Sequence, residues 1–392
     1  MRIGIDAREL CGRATGAGRY LGGLLTEWST SDRARAHEFV LYAPQSIAMS
    51  LDARRFATRH VGGSGGTLWE QVSVPRVAAR DHLDVWFAPA YSAPLTLRVP
   101  VVVAIHDLSF VAHPEWFTWR EGAKRRLIVK KSAHRARTVV TISEFTRAEL
   151  IERLAIAPQK IAVIPPGIAH PAPRTPHQHP APHPAPGPST QHSAPSTQHP
   201  DRCHPDQCHP DRCHPNVLFT GSVFNRRHVP DLIRAFAPIA RAHPDAFLDI
   251  AGDNRSFPFE DLPAVVMAER LDGRVRFHRY VTDEQLAGLY ANAAAFAFLS
   301  EYEGLGLTPL EALAAGVPPV LLDTPVARES CGNAALYVPP HDLRAVTQQL
   351  ERLLFSESTR AEILAAAPPV LAKYQWPRAA RDTLAVLESS PA

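Results

Sequence analysis

One stretch decides how this chain can fold. Residues 169–215 have almost no large apolar side chains and are crowded with Pro and His. Such a segment cannot bury enough surface to offset the entropy of ordering its backbone. It reads as a disordered or polyproline-like linker insert. It splits the 392 residues into two stretches, each long enough to bury a core of its own. Within it, Cys203-His204, Cys208-His209 and Cys213-His214 recur every five residues. Thiolate and imidazole ligands suit zinc or copper. The spacing is not Cys-x-x-Cys, however, and the units look like a slipped sequence expansion, so an incidental linker is the favoured reading.

Both flanking stretches alternate short apolar runs with helical patterns. Before the insert, residues 1–6, 38–43, 83–88, 100–105, 138–142 and 161–164 read as strands, with a helix over 19–28. After it, strands are expected at 217–220, 247–251, 275–277, 295–299 and 319–322, and helices at 231–242, 283–291 and 309–315. Apolar strands separated by helices indicate a parallel sheet covered on both faces. The expected organisation is therefore α/β, with doubly wound domains at 1–168 and 216–372. Residues 373–392 form a C-terminal helix expected to pack back on the first domain. Two such domains in tandem face each other across a cleft, and ligands bind beyond the carboxyl ends of the strands.

Bulk properties exclude several functions. A net charge of +3 is too small to argue for nucleic acid. No run approaches 18 apolar residues, so no membrane span is expected. Residues 1–6 already read as a strand and lack the pattern of a signal peptide, so a cytoplasmic location is expected. Five cysteines at this length are not a disulfide framework. Residues 120–137 carry eight Lys or Arg against one acid, Glu121. Such a helix is either a solvated face or a peripheral contact with anionic lipid on the inner face of a membrane.

The strongest chemical signal is Glu303-Gly-Leu-Gly-Leu-Thr-Pro-Leu-Glu311, which follows the expected strand 295–299. Thr308 is placed to cap a helix, with Pro309 at its first position and Glu311 completing a capping box. A helix N-terminus offers free amides and a positive dipole end, which suit a diphosphate. Capping leaves Glu303 unexplained. A second signal is Gly221-Ser-Val-Phe-Asn-Arg226-Arg227-His228, between a strand and a helix. A third is the glycine loop around Gly16 and Gly18 after the first strand. Leu21 stands where a dinucleotide fingerprint needs its third glycine, and the next strand offers no acid, which argues against a nicotinamide enzyme. A fourth is His106-Asp107, at the end of the strand 100–105.

Together these motifs resemble the retaining GT-B glycosyltransferases of the group 1 (family 4) type. The resemblance spans nearly the whole chain apart from the insert. It implies two Rossmann-like domains and transfer of a hexose, of mannose or glucose type, from a nucleotide-diphosphate sugar to a glycan or lipid-linked acceptor. The implied catalytic residues are His106, Glu303, Arg226 and Arg227. The implied donor-binding set is Gly16, Gly18, Gly221, Arg226, Arg227, Glu303, Gly304, Leu307, Thr308 and Glu311. In the family the first glutamate lies by the donor sugar and the second holds the ribose hydroxyls. The family usually carries Arg-Lys-Asn where this chain has Arg226-Arg227-His228, so the phosphate geometry departs from the pattern. No metal and no cofactor beyond the donor substrate are implied. The stretch from Ile105 to Phe110 is similar to mannosyltransferases acting on lipopolysaccharide or other cell-surface glycans. Ser143, Pro165-Pro166-Gly167 and Trp376 extend the match. Two alternatives remain: a nucleotide-sugar epimerase of the same fold, and a non-catalytic nucleotide-sugar-binding protein with a metal-binding linker.

Overall fold

A computed structural model describes residues 1–12, 16–168, 215–279 and 281–390. The three Cys-His pairs and almost all of the Pro/His tract fall outside the described residues. The first sheet contains seven strands: β1 (Arg2–Asp6), β2 (Glu38–Ala43), β3 (Phe56–His60), β4 (Val85–Ala88), β5 (Val101–Ala104), β6 (Thr138–Thr141) and β7 (Ile161–Val163). Their order is 3-2-1-4-5-6-7, every pair parallel. The second sheet contains β8 (Asn216–Thr220), β9 (Phe247–Ala251), β10 (Val275–His278), β11 (Ala295–Phe298), β12 (Pro319–Leu322) and β13 (Leu336–Val338). Its order is 10-9-8-11-12-13, again parallel throughout. Both orders match the doubly wound arrangement, with a crevice where the order reverses.

The central strands are buried on both faces, which is why they read as unbroken apolar runs. Helices cover them through apolar stripes. In the helix Val229–Ala242, the buried residues Val229, Leu232, Ile233, Phe236, Ala237 and Ala240 follow the i, i+3, i+4, i+7 rhythm of one face. Two edge strands escaped the sequence reading. β3 alternates one buried residue with exposed and half-exposed ones, and β13 has three residues. Neither carries the apolar run that marks a central strand.

The helix Trp376–Glu388 lies against the helix Gly16–Thr30. The indole of Trp28 donates to the Ala380 carbonyl at 2.9 Å, and Glu388 accepts from Arg33 and, at 2.9 Å, pairs with His37. The Trp376 ring fills space that two glycines leave open. A Cβ added to Gly23 would meet the ring at 2.5 Å, and one on Gly167 at 2.2 Å. Trp376 and Gly167 are thus partners in packing.

Candidate active site

The loops after the strands converge between the sheets on a cavity of about 740 Å³. Arg8, Gly16, Tyr91, His106 and Arg125 line it from the first half of the chain, and Phe224, Arg226 and Leu307 from the second. Each half contributes at the carboxyl ends of its strands, as the crevice rule requires.

On the first side, His106 is half-buried two residues past β5. Its Nε2 lies 2.7 Å from the Pro89 carbonyl oxygen. That oxygen can only accept, so Nε2 carries the proton. Burial pushes the imidazole below its usual pKa, against the pull of the Pro89 carbonyl and Asp107. The ring is therefore neutral at pH 7, and Nδ1 presents a lone pair. Burial raises the carboxyl of Asp107, yet hydrogen bonds from Ser109 and Tyr91 outweigh it and hold the group below the usual range. Ser109 donates from its hydroxyl at 2.6 Å and its amide at 2.9 Å, and Tyr91 donates its phenol.

The second side rests on an ion pair. Glu303 Oε1 accepts from Arg227 Nε at 2.8 Å and from the Ser300 hydroxyl at 2.9 Å. Burial would raise this carboxyl, but Arg227 and Arg226 together hold it below the ordinary value. Arg227 also donates to the Ser222 carbonyl at 2.8 Å. Its guanidinium is spent on holding the loop. Arg226 differs: it lines the cavity, stacks over Phe224 at 4.5 Å and Trp116 at 5.7 Å, and its buried Nε has no hydrogen-bond partner among the described residues. Gly221 is required here, since its φ is +113° and a Cβ would meet Arg227 Nη1 at 2.8 Å.

The capping expectation at Thr308 is corrected. The helix is Leu307–Ala314, its N-cap is Gly306 at φ +84°, and no side chain among the described residues caps it. Gly306 at this left-handed angle starts the helix two residues earlier than the Thr-Pro pattern suggested, so Thr308 sits inside the first turn. Its buried hydroxyl has no partner among the described residues. Glu311 then faces Arg19 across the cleft at 3.8 Å. Burial raises its carboxyl and Asp283 adds to this, while Arg19 opposes.

The candidate set thus divides. Gly16, His106, Arg226 and Leu307 line the cavity. Glu303 is tied through Arg227 to the loop that carries Arg226, and Gly221 lies against Arg227. Gly18 is buried within the helix Gly16–Thr30. Gly304 lies in the seam between the halves: a Cβ there would meet the His106 carbonyl oxygen at 1.9 Å. Its own carbonyl accepts from Ser143 at 2.5 Å and from Thr146 at 3.2 Å. Ser143 also caps the helix Glu144–Leu154.

Several residues escaped the sequence reading. Arg8, just past β1, donates to Asp6 at 2.5 Å and to Glu70, and Ser92 donates to Glu70 at 2.6 Å. Placement after a strand was a usable signal for Arg8 and Tyr91. Glu329 had none, because it caps a helix of the other half. Its carboxylate accepts from the Glu144 and Phe145 amides at 2.7 and 2.8 Å.

Comparison with known proteins agrees with this geometry. Residues 15–170 match Glycosyltransferase Family 4, and residues 214–356 match Glycosyl transferases group 1. The O-antigen chain mannosyltransferase B of Escherichia coli is 24% identical over 309 residues, which span 78% of this chain and 75% of that protein. The GDP-mannose:cellobiosyl-diphosphopolyprenol alpha-mannosyltransferase of Komagataeibacter xylinus is 31% identical over 136 residues, 34% of this chain and 35% of that one. Anabaena HepE, solved with UDP and glucose, superposes with a TM-score of 0.71 at 17% identity, covering 99% of this chain and 100% of its own. WaaG, a glycosyltransferase involved in lipopolysaccharide biosynthesis, gives 0.67 at 16% identity, with 99% of each chain covered. The two halves carry two adjoining descriptions of one enzyme group, on a fold shared with solved glycosyltransferases: the chain belongs to the group 1 (family 4) GT-B glycosyltransferases and is mannosyltransferase-like among them.

Proposed function

We propose that this glycosyltransferase moves a hexose, of mannose type in the first instance, from a nucleotide-diphosphate sugar to a glycan or lipid-linked acceptor, with retention at the anomeric carbon. The observation that carries the donor reading is two buried polar atoms that have no hydrogen-bond partner among the described residues, Arg226 Nε and Thr308 Oγ1. Buried polar groups are nearly always satisfied, so an orphaned pair here points to a ligand with acceptor oxygens. A diphosphate supplies them. The relatives named as mannosyltransferases favour mannose, and one of them is named for GDP-mannose as donor; the UDP-glucose bound by HepE keeps glucose in play.

In this reading Arg226 and the amides of the helix Leu307–Ala314 take the diphosphate. The bond between the anomeric carbon and the β-phosphate oxygen breaks, and its electron pair leaves with the nucleoside diphosphate. The acceptor hydroxyl bonds to the same face of the anomeric carbon and passes its proton to a phosphate oxygen. Arg226 stabilises the charge as it develops. His106 accepts a sugar hydroxyl at Nδ1. Glu303, held ionised by Arg227, orients the sugar, and Glu311 takes the ribose hydroxyls. In this reading the domains are proposed at 1–168 and 216–372, with 169–215 as a linker insert and the C-terminal helix of 373–392 packing back on the first domain.

The acceptor end is proposed to meet anionic lipid through 120–137. The helix Trp119–Arg135 exposes Trp119 (78%) and Leu127 (55%) beside its basic residues. Some of its charge is committed elsewhere, since Arg125 stacks on Tyr91 and Phe110 and Arg126 donates to the Phe110 carbonyl. No described helix is long and apolar enough to cross a membrane.

Incubating the purified protein with a panel of nucleotide sugars and a lipid or glycan extract tests the proposal. Release of nucleoside diphosphate from one donor, lost in Arg226→Ala and Glu303→Ala, supports it. Proton NMR of the product reads the anomeric configuration, and an inverted product ends the retaining reading. Sedimentation with phosphatidylglycerol vesicles reads the membrane contact.

A further inference from the structure

Of the two residues that depart from the family's Arg-Lys-Asn pattern, Arg227 and His228, the second is left without a role by the donor site. It sits at φ +47° in the left-handed region, directly before the helix Val229–Ala242. A second histidine, His341, holds the same unfavourable region at φ +61° in the turn after β13. Their rings meet edge to face with centroids 5.6 Å apart. Asp231, one helical turn on from His228, completes the group. One donor atom from each of His228, Asp231 and His341 lies within 4.8 Å of the other two.

We propose that His228, Asp231 and His341 bind a transition-metal ion of the zinc class. The ligand set is two imidazoles and one carboxylate, which suits Zn(II) with a water in the fourth position. At bond lengths of about 2.0–2.1 Å, ligands around tetrahedral zinc stand ~3.4 Å apart. His228 Nδ1 already lies 3.5 Å from Asp231 Oδ2. The remaining closure is within reach of a side-chain rotation at the exposed His341. The outer sphere is also in place: His228 Nε2 faces Glu301 Oε2 at 3.5 Å, so a ring bound through Nδ1 turns its other N–H toward a carboxylate. Metal-bound histidines usually have such a partner.

The ion acts as a clamp rather than as part of the reaction. His228 ends the loop that carries Arg226 and Arg227, and the Glu301 amide donates to the Arg226 carbonyl at 3.0 Å. A metal shared by His228 and His341 ties this arginine loop to the far end of the second sheet. It holds Arg226 where the cavity needs it.

The test is a Zn(II) titration of the full chain by isothermal calorimetry at pH 7.5. The Cys-His pairs of the tract supply competing ligands, so three proteins are compared with the parent: His228→Asn, His341→Ala, and Cys203→Ser with Cys208→Ser and Cys213→Ser. The expected result is the loss of one zinc equivalent in each histidine variant and its retention in the triple serine variant. Glu301→Gln keeps the equivalent but weakens it ~10–100-fold. Circular dichroism establishes that each variant is folded. Anomalous diffraction at the zinc edge should place the ion between His228 and His341. Unchanged stoichiometry in both histidine variants, or loss of all zinc in the triple serine variant, overturns the proposal.

Discussion

Adjacent arginines in one loop should fail in different ways when removed. Arg227→Ala strips the main partner from a carboxylate that is 16% exposed. Breaking one half of a buried pair costs about 3–5 kcal/mol, because the remaining charge is left uncompensated. Glu303 still keeps the Ser300 hydroxyl at 2.9 Å and has Arg226 at 3.9 Å. Those retained contacts reduce the expected loss to about 2–3 kcal/mol. At about 2–4 °C per kcal/mol for a domain of this size, the second domain should melt about 4–12 °C lower. Arg226→Ala removes stacking over Phe224 and Trp116, which contributes about 1 kcal/mol, and leaves the Arg227–Glu303 pair whole. Its cost falls on turnover instead, about 10²–10³-fold if the guanidinium meets charge developing on the leaving diphosphate. Thermal melts by circular dichroism, paired with nucleoside-diphosphate release at saturating donor, separate the two. The reasoning fails if Arg227→Ala melts with the parent protein. It fails equally if Arg226→Ala melts as low as Arg227→Ala while keeping turnover.

Three other outcomes follow from the same geometry. Burial raises the Glu311 carboxyl, so its contribution to stability is present below the ordinary glutamate value and is lost as pH rises through the raised one; donor affinity should run the opposite way, rising over that interval, and Glu311→Gln should flatten both curves in calorimetric titrations across pH. Gly304→Ala puts a methyl 1.9 Å from the His106 carbonyl oxygen and must part the two halves there; overpacking of this kind costs about 1–3 kcal/mol, and a larger radius of gyration by small-angle scattering would register it. Tyr91→Phe removes a hydrogen bond to the half-buried Asp107 carboxylate, a loss of about 1.5–3 kcal/mol in denaturant unfolding, and raises the Asp107 pKa toward the usual range.

Much of the fold was legible because central parallel strands have a simple signature. β1, β2, β4, β5, β6, β8, β9, β11 and β12 are short runs buried on both faces, and such runs stand out from any helix pattern. β3 and β13 were not legible, since an edge strand needs apolar residues on one face only and β13 is too short to show a period. At the site, sequence pointed to Arg226 and His106 through their positions after strands. It misassigned Thr308, because Ser/Thr before Pro is a good cap signature and nothing local shows that Gly306 takes a left-handed turn first. It could not separate Arg226 from Arg227. Two identical side chains differ here only in what they meet in space, Glu303 for one and the open cavity for the other.

The seam between the halves explains why Gly304 and Ser143 matter without touching the cavity. Gly304 lets the second domain's backbone reach the backbone at His106, and Ser143 and Thr146 bind its carbonyl from the first domain. Beside it, the Tyr302 hydroxyl donates to Glu149 at 3.1 Å and accepts from the Leu108 amide at 3.2 Å. Glu329 caps the helix Glu144–Leu154 from across the same boundary. Glu303 is therefore flanked on one side by the arginine loop and on the other by a residue pressed against His106. Any motion that parts the domains must move Gly304, and with it the carboxylate one residue away, relative to the His106–Asp107 pair. The group proposed to orient the donor sugar and the groups proposed to meet it from the other domain are thus held in register by the same seam, and a closure of the two domains that shuts out water would act on both together.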